Sequence, residues 1–228
     1  MDDLKKRMGM LRAKHPAAFS MEPEDVERRE AARQQREAEL ELEMRAQKRY
    51  DRRRRLDSFK LPLTAKDADL LLADALDMHL KSIVAVSSWL ASNVPWILLL
   101  GSTGRGKTLA AAWALMQHGG RYVGARELER LATARYGDEA ETFTELLATR
   151  TLVVDDIGRE RDVGHMTAVL LDLVDERRKR GQKTIAISNV AKAAFLKTYA
   201  DERLLSRLSE PGIASWVSDA GTDLRRAK

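Results

Sequence analysis

One eight-residue segment limits what this 228-residue chain can fold into more than any other feature. Residues 101–108 follow the pattern G-x-x-x-x-G-K-[ST], and they are Gly101, Ser102, Thr103, Gly104, Arg105, Gly106, Lys107 and Thr108. An apolar run at 96–100 precedes the segment and an alanine-rich stretch follows it, which is the strand, loop and helix order of a phosphate-binding loop. We expect backbone N–H groups to surround phosphate oxygens, Lys107 to reach the β and γ phosphates, and Thr108 to ligate Mg²⁺. The segment therefore predicts ATP and Mg²⁺ as cofactors, with an ordinary glycine-rich turn as the alternative.

A second apolar run ends in two carboxylates. Residues 151–154 are Thr, Leu, Val and Val, and Asp155 and Asp156 follow them directly. In a parallel sheet this run would deliver both carboxylates to the same edge as the phosphate-binding loop. We expect Asp155 to hold magnesium, usually through water, and Asp156 to polarise the water that attacks the γ phosphate. A helix N-cap and a turn before Gly158 are the alternative.

Three further polar positions are candidates for phosphate chemistry, one in the same site and two in the site of a neighbouring subunit. The apolar run at 184–188 leads to Asn189, which is expected to hydrogen-bond the γ phosphate or the attacking water, unless it is a plain helix cap. Arg203 and Arg207 are four residues apart and lie on one helical face. One of their guanidinium groups is a candidate to stabilise phosphate charge in a neighbouring subunit. On spacing alone, surface arginines paired with acids are the better explanation.

Apolar runs and helical patterns alternate after residue 95 and predict an α/β fold. The runs at 96–100, 122–123, 151–155 and 184–188 are predicted strands, and the segments 107–118, 127–136, 139–149 and 166–180 are predicted helices. This order is typical of a parallel sheet with crossover helices. Upstream, Thr64 and Asp67 form a candidate capping box that opens a helix extending to about residue 91.

The N-terminal quarter has a different composition. Residues 22–56 are mainly Glu, Arg, Gln and Ala, which favour a long helix, and their apolar positions do not keep a heptad. We expect a helical arm in residues 1–60 that needs a partner to bury apolar surface. A linker at Pro62 would separate this arm from an ATPase domain in residues 61–228. A solvated charged helix without a partner is the alternative.

Composition excludes several classes of site. The chain has no cysteine, which excludes disulfides, thiolate zinc sites and cysteine nucleophiles. The apolar stretch at 94–100 is far shorter than a membrane span, and the first ten residues lack the apolar run of a signal peptide. We therefore expect a cytoplasmic protein with no membrane partner. The formal net charge of +5 is compatible with a polyanionic partner such as nucleic acid.

Four segments together resemble the AAA+ ATPases of the DnaC and IstB group, which comprises replicative helicase loaders and transposition helper ATPases. They are the loop at 101–108, Leu-Val-Val-Asp-Asp-Ile-Gly at 152–158, Ile-Ser-Asn at 187–189 and Ser-Arg-Leu at 206–208. The resemblance covers residues 66–228. It implies an AAA+ P-loop domain whose helical lid is truncated, since only the segment after Arg207 remains to build it, with Asp223, Arg225 and Arg226 as a possible second sensor.

The resemblance also implies roles for individual residues. Asn189 would be sensor 1, and Arg207 would be the finger that completes a neighbouring subunit's site, with Arg203 as fallback. The subunits would therefore associate with one another through Arg207. A helix near 125–136 would be an initiator-type insertion that touches single-stranded DNA through Arg126, Arg130 and Arg135. An ordinary amphipathic helix is the alternative for that segment.

Three functions follow from these observations. The first is a helicase loader whose N-terminal arm binds the replicative DNA helicase and delivers it onto single-stranded DNA, with ATP hydrolysis releasing the loader. The second is an IstB-like transposition helper that assembles on duplex DNA. The third is a metabolic P-loop kinase, against which stand the pair Asp155 and Asp156 and the Ser-Arg-Leu segment.

Overall fold

The structure, a computed structural model, describes residues 23–73 and 76–219 together with residues 7, 10, 13 and 14. The chain divides into two compact units, Met1–Asp51 and Arg52–Lys228. This division falls inside a long helix, whereas the sequence suggested a boundary after residue 60. The expected second sensor at Asp223, Arg225 and Arg226 lies outside the described residues.

The first unit contains most of helix α1 (Pro23–Ser58), which confirms the long helix predicted from the Glu- and Arg-rich composition. Ion pairs one turn apart, Arg33 with Glu37 and Arg45 with Glu41, lie along its surface. Large apolar side chains of this helix are exposed, and they are Leu40, Leu42, Met44 and Tyr50. No helix in the described part of the chain is long and apolar enough to cross a membrane.

The second unit is built on a five-stranded parallel sheet. Its strands are β1 (Trp96–Gly101), β2 (Arg121–Gly124), β3 (Thr151–Ile157), β4 (Lys183–Ser188) and β5 (Ala214–Asp219). Their order across the sheet is β2-β3-β4-β1-β5, and Leu98 of β1 lies between Ala186 of β4 and Trp216 of β5. The predicted parallel sheet is confirmed, and β5 is an additional strand that the apolar pattern did not indicate.

Helices cover both faces of this sheet. They are α2 (Ala65–Leu72), α3 (Lys81–Leu90), α4 (Lys107–His118), α5 (Ala125–Thr133), α6 (Asp138–Ala148), α7 (Val163–Lys179), α8 (Lys192–Thr198) and α9 (Glu202–Ser209). Leu98 and Leu100 pack with α5 and α7, while Ile97 and Leu99 pack with α3 and α4. Because both faces are covered, the inner strands β1, β3 and β4 are largely apolar, and Asp155, Asp156 and Ser188 lie at the carboxyl ends of β3 and β4.

The predicted helix from residue 64 to about 91 is wrong in its extent. Its capping box is confirmed, since the Thr64 hydroxyl accepts a hydrogen bond from the Asp67 N–H at 3.1 Å and the Asp67 carboxylate accepts one from the Thr64 N–H. However, α2 ends at Leu72 and α3 begins only at Lys81. Between them the Asp77 carboxylate accepts from the His79 N–H at 2.9 Å. Such a local bond offers the backbone an alternative to the helix.

The last turns of α1 belong to the second unit. Leu56 is buried in a cluster with residues of α2 and α4, among them Leu71 and Leu109. The Arg52 guanidinium donates to the Leu71 carbonyl at 2.7 Å. The last turns of α1, from Arg52 to Ser58, are therefore part of the second unit, and a truncation that removes them would expose its core.

Arg177 on α7 is completely buried beneath the sheet. Its guanidinium donates to the Thr184 hydroxyl, the Gln182 side chain and four backbone carbonyls, those of Leu146, Leu147, Thr149 and Lys183. Burial lowers the pKa of Arg177 to about 10, so the group still carries its charge at neutral pH. Arg177 therefore joins the end of α6, the start of β4 and α7.

Candidate nucleotide-binding site

The segment 101–106 forms a tight loop between β1 and α4. Gly101, Gly104 and Gly106 have φ values of 125°, 78° and 74°, which side chains with a Cβ rarely adopt. The Ser82 hydroxyl on α3 lies 3.3 Å from the carbonyl oxygens of Arg105 and Gly106. This contact joins α3 to the end of the loop. A glycine-rich loop opening the N-terminus of a helix presents its N–H groups toward an anion.

Lys107 is folded back into this loop. Its side chain is buried, and its ammonium donates to the carbonyl oxygens of Gly101 at 2.8 Å and Ser102 at 2.7 Å. A phosphate oxygen bound in the loop is a stronger acceptor than a neutral carbonyl because it carries charge. The ammonium is thus held within the loop that the sequence assigned to phosphate.

The predicted magnesium ligands lie side by side. The Thr108 hydroxyl donates to the Asp155 carboxylate at 3.0 Å, joining the start of α4 to the end of β3. Burial raises the pKa of Asp155, and hydrogen bonds from the Asp156 N–H and the Thr108 hydroxyl oppose that shift. A hydroxyl and a carboxylate oxygen in contact are hard oxygen donors of the kind that Mg²⁺ prefers, so these residues fit the ion.

Asp156 and Asn189 are also brought together. The Asn189 side-chain amide donates to the Asp156 carboxylate at 2.9 Å, across from β4 to β3. Asp156 has a φ of 58°, in the left-handed region, and the register of β3 against β4 shifts between Val154 and Ile157. The carboxylate therefore leaves the strand ladder at the carboxyl edge of the sheet beside the amide that the sequence placed next to it.

A protein-family model described as an IstB-like ATP-binding protein matches residues 13–210. The chain belongs to this IstB-like family. It is an ATP-binding ATPase of the DnaC and IstB type, as the sequence motifs implied. No curated protein sequence matches it.

Solved structures share the fold of this IstB-like chain. A candidate primosome component from Streptococcus pyogenes serotype M3 superposes with a TM-score of 0.51 at 19% identity, covering 72% of this chain and 92% of that one. The DnaC helicase loader superposes with a TM-score of 0.48 at 20% identity, covering 72% of this chain and 94% of that one. DnaI gives a TM-score of 0.49 at 20% identity, covering 69% and 91% of the two chains. The IstB-like chain has the AAA+ P-loop fold.

Both candidate finger residues of the IstB-like protein pair with acids of their own chain. The Arg207 Nε lies 2.9 Å from a carboxylate oxygen of Asp175 on α7, and Arg203 lies 3.2 Å from Asp201. Both arginine side chains are substantially exposed. Exposed ion pairs of this kind are weak, so either guanidinium is available to a neighbouring subunit at small cost. The role of Arg207 in a second subunit stays a prediction.

The arginines expected to touch DNA have separate contacts. Arg126 donates to the Arg159 carbonyl, in the loop after β3, while Arg130 forms an ion pair with Glu139 on α6. Arg135 is exposed just beyond the end of α5. A DNA role for these three residues of the IstB-like protein stays a prediction.

Sequence reasoning missed a groove beside the phosphate-binding loop of the IstB-like protein. Its cavity measures about 640 Å³ and lies between α3, β5 and the start of α8, lined by His79, Lys81, Val84, Lys192, Trp216 and Ser218. It adjoins the loop because β5 pairs with β1 up to Gly101. The Lys192 ammonium lies 4.6 Å from the centre of the Trp216 ring. Since β5 itself was not predicted, no sequence pattern indicated this groove.

Proposed function

We propose that this IstB-like ATPase is a helicase loader. In this proposal ATP-bound subunits hold the replicative DNA helicase through the N-terminal arm and deliver it onto single-stranded DNA. ATP hydrolysis, slow and dependent on the partners, then releases the loader. The observation that carries the proposal is a combination of two features. Thr108 pairs with Asp155 and Asn189 pairs with Asp156 at the end of β3, and a long exposed helix leaves four large apolar side chains uncovered.

The chemistry assigns a task to each residue of the site. Backbone N–H groups of the loop and the Lys107 ammonium bind the phosphates, and Thr108 and Asp155 would hold Mg²⁺, which supplies positive charge to the transferring phosphoryl group when bound. Asp156 accepts a hydrogen bond from the attacking water, and Asn189 orients Asp156 or the γ phosphate. The hydrogen bond from the Asn189 amide to the Asp156 carboxylate supports these two roles, because it orients the carboxylate that would accept from the attacking water.

The arm is suited to a protein partner. Leu40 and Met44 lie one helical turn apart and are both more than half exposed, as is Tyr50. Leu40 and Met44 are on the same side of the helix, and exposed apolar side chains that are neighbours in this way are typical of protein interaction sites. Basic side chains at Arg45, Lys48 and Arg49 flank them and would favour an acidic partner surface.

The decisive experiment is capture of the cognate replicative helicase by the full chain and by residues 52–228. We expect capture by the full chain only, because the truncation removes the exposed arm yet keeps Arg52 and Leu56, which pack in the ATPase unit. A variant of the full chain with Leu40→Ser and Met44→Ser should bind the helicase more weakly, and Arg33→Ala on the same helix is its control. ATP binding by the truncated chain verifies its fold. Equal capture by both forms would contradict the role of the arm.

Replacing Arg207 with alanine should leave ATP binding intact and reduce hydrolysis about a hundredfold or more, since a guanidinium supplied to a neighbour's phosphate is worth about 10³–10⁵ in rate. The measurement is steady-state phosphate release alongside direct ATP binding. Asp175→Asn is the matched control, because it breaks the ion pair without removing the guanidinium. If the two variants behave alike, Arg207 has only a structural role, and unchanged hydrolysis in Arg207→Ala would exclude the finger.

The second candidate function is the transposition helper on duplex DNA. The observation that favours it is the family match. The matching family is described as IstB-like, and the match begins at residue 13, so it includes most of the arm. It predicts that the ATP-bound protein binds duplex DNA more tightly than single-stranded DNA. Absence of helicase capture together with such duplex preference would select this function over helicase loading.

A further inference from the structure

The short loop at 158–162 connects the hydrolytic carboxylate to α7 and begins as a turn at Asp156. The Arg159 N–H donates to the Asp156 carbonyl at 3.0 Å, and the Arg159 side chain lies 3.8 Å from the Asp156 carboxylate. The position of this loop therefore determines where the Asp156 carboxylate stands relative to Asn189 and the phosphate-binding loop.

Helix α5 holds this loop from one side through Glu129. One Glu129 carboxylate oxygen accepts from the Arg161 N–H at 3.0 Å, and the other accepts from the Asp162 N–H at 2.8 Å. A second residue of the same helix, Arg126, donates to the Arg159 carbonyl. Three hydrogen bonds thus join one face of α5 to three consecutive peptide groups of the loop.

A separate contact holds the loop from the other side. Glu160 accepts from the Gly158 N–H at 2.7 Å and from the buried hydroxyl of Tyr199 at the end of α8. The Ser188 hydroxyl of β4 donates to the Ile157 carbonyl. The contacts of the loop with β4 and α8 are therefore independent of α5. Loss of the Glu129 hydrogen bonds would release only the side of the loop that faces α5.

Glu129 is unusual among the charged residues of α5. Arg126, Glu127 and Arg130 are exposed, whereas Glu129 is only 8% exposed. A buried carboxylate costs free energy unless hydrogen bonds compensate it. The bonds from the Arg161 and Asp162 N–H groups hold the pKa of Glu129 below its ordinary value, so the side chain is an anion at neutral pH. An apolar side chain at this position could pack equally well, but it could not accept the hydrogen bonds from the Arg161 and Asp162 N–H groups. We therefore attribute the carboxylate at this position to its hydrogen bonds with the loop.

We propose that Glu129 is a positioning residue for ATP hydrolysis, acting through the loop at 158–162 on the Asp156 carboxylate. This inference rests on the proposed role of Asp156. It connects the position of α5 to that of the Asp156 carboxylate. Any displacement of α5 would also displace the peptide groups that follow Asp156. A polyanion on the exposed side of α5 would compete for Arg126, because a phosphate is a stronger acceptor for a guanidinium than the Arg159 carbonyl.

The test compares steady-state ATP hydrolysis by the full chain and by its Glu129→Gln variant. The glutamine amide has a single acceptor oxygen, and its NH₂ group would face the second backbone N–H, so one of the two bonds is lost. We expect kcat to fall about tenfold to a hundredfold with an unchanged dissociation constant for ATP, since small displacements of a hydrolytic group have effects of this size. Amide hydrogens of Arg161 and Asp162 should exchange faster. Glu127→Gln, at an exposed acid of the same helix, is the matched control.

Asp156→Asn separates this inference from the proposed function. Asparagine tolerates the left-handed backbone at this position, so the change removes the charge without adding strain. If Asp156→Asn hydrolyses ATP normally, the proposed role of Asp156 fails and this inference fails with it. If Asp156→Asn is inactive while Glu129→Gln keeps its native kcat, or loses activity only in proportion to unfolded protein, the positioning role of Glu129 alone is overturned.

Discussion

Replacing Lys107 with alanine should weaken ATP binding by this IstB-like ATPase at least about a hundredfold. The ammonium is held inside the phosphate-binding loop, and ATP would exchange its two carbonyl partners for phosphate oxygens. Charge-assisted hydrogen bonds contribute about 1.5–3 kcal/mol each, and every 1.4 kcal/mol is tenfold in affinity, so the dissociation constant should rise at least about a hundredfold. Calorimetric titration with Mg-ATP measures this change.

The control for this variant is Lys197→Ala, which removes an exposed lysine of α8 and should leave affinity unchanged. Thermal unfolding of both variants verifies that Lys107→Ala is folded, because the substitution also removes two bonds within the loop. Retention of native ATP affinity by Lys107→Ala would show that residues 101–108 are a glycine-rich turn and not a phosphate-binding loop.

Replacing Arg177 with methionine should strongly destabilise the protein. The substitution removes the buried donor from the Thr184 hydroxyl and from the carbonyls of Leu147, Thr149 and Lys183. The Leu146 carbonyl also loses this donor but still accepts from the Thr149 N–H at 3.4 Å. Each buried polar group left unpaired costs about 1–3 kcal/mol, so the total reaches about 4 kcal/mol or more. A domain typically has only about 5–15 kcal/mol of stability, and much of it would be lost.

The neighbouring residue provides the control for Arg177→Met. Arg178 forms an exposed ion pair with Glu210 on the surface of α7. Exposed pairs contribute little in water, so Arg178→Met should shift the urea midpoint only slightly. The measurement is the urea midpoint of all three proteins with ATP absent. Equal shifts for the two variants would show that the contacts of Arg177 are not stabilising.

The tight loop between β1 and α4, the place of Asp155 and Asp156 at the end of β3, and the parallel sheet could be predicted because each produces a local pattern. Glycines at fixed spacing, an apolar run ending in Asp155 and Asp156, and alternation of strands and helices are visible within short windows. The neighbourhood of Asn189 and Asp156 followed from the rule that parallel strands end at one edge. These features depend on residue type and spacing alone.

The features that the sequence did not predict depend on contacts between distant segments. Strand β5 has only Trp216 and Val217 as large apolar residues, and it is a strand because β1 lies beside it. Arg177 and Glu129 look like ordinary charged helix residues until the fold buries them. The sequence between α2 and α3 contains no glycine or proline, and in the described part of this segment the Asp77 carboxylate accepts from the His79 N–H. Tertiary contacts override local pattern at each of these positions.

The strand order has a consequence for how the chain is synthesised. Strand β1 pairs with β4 on one side and β5 on the other, so Trp96 has no strand neighbour until Thr184 and Ala214 are available. The sheet therefore has a high contact order, and such pairings form slowly. While the ribosome adds the residues between β1 and β4, the apolar run at 96–100 stands exposed to other nascent chains, at the stage when aggregation competes with folding. Chaperone demand during translation should therefore be concentrated in the interval before β4 emerges.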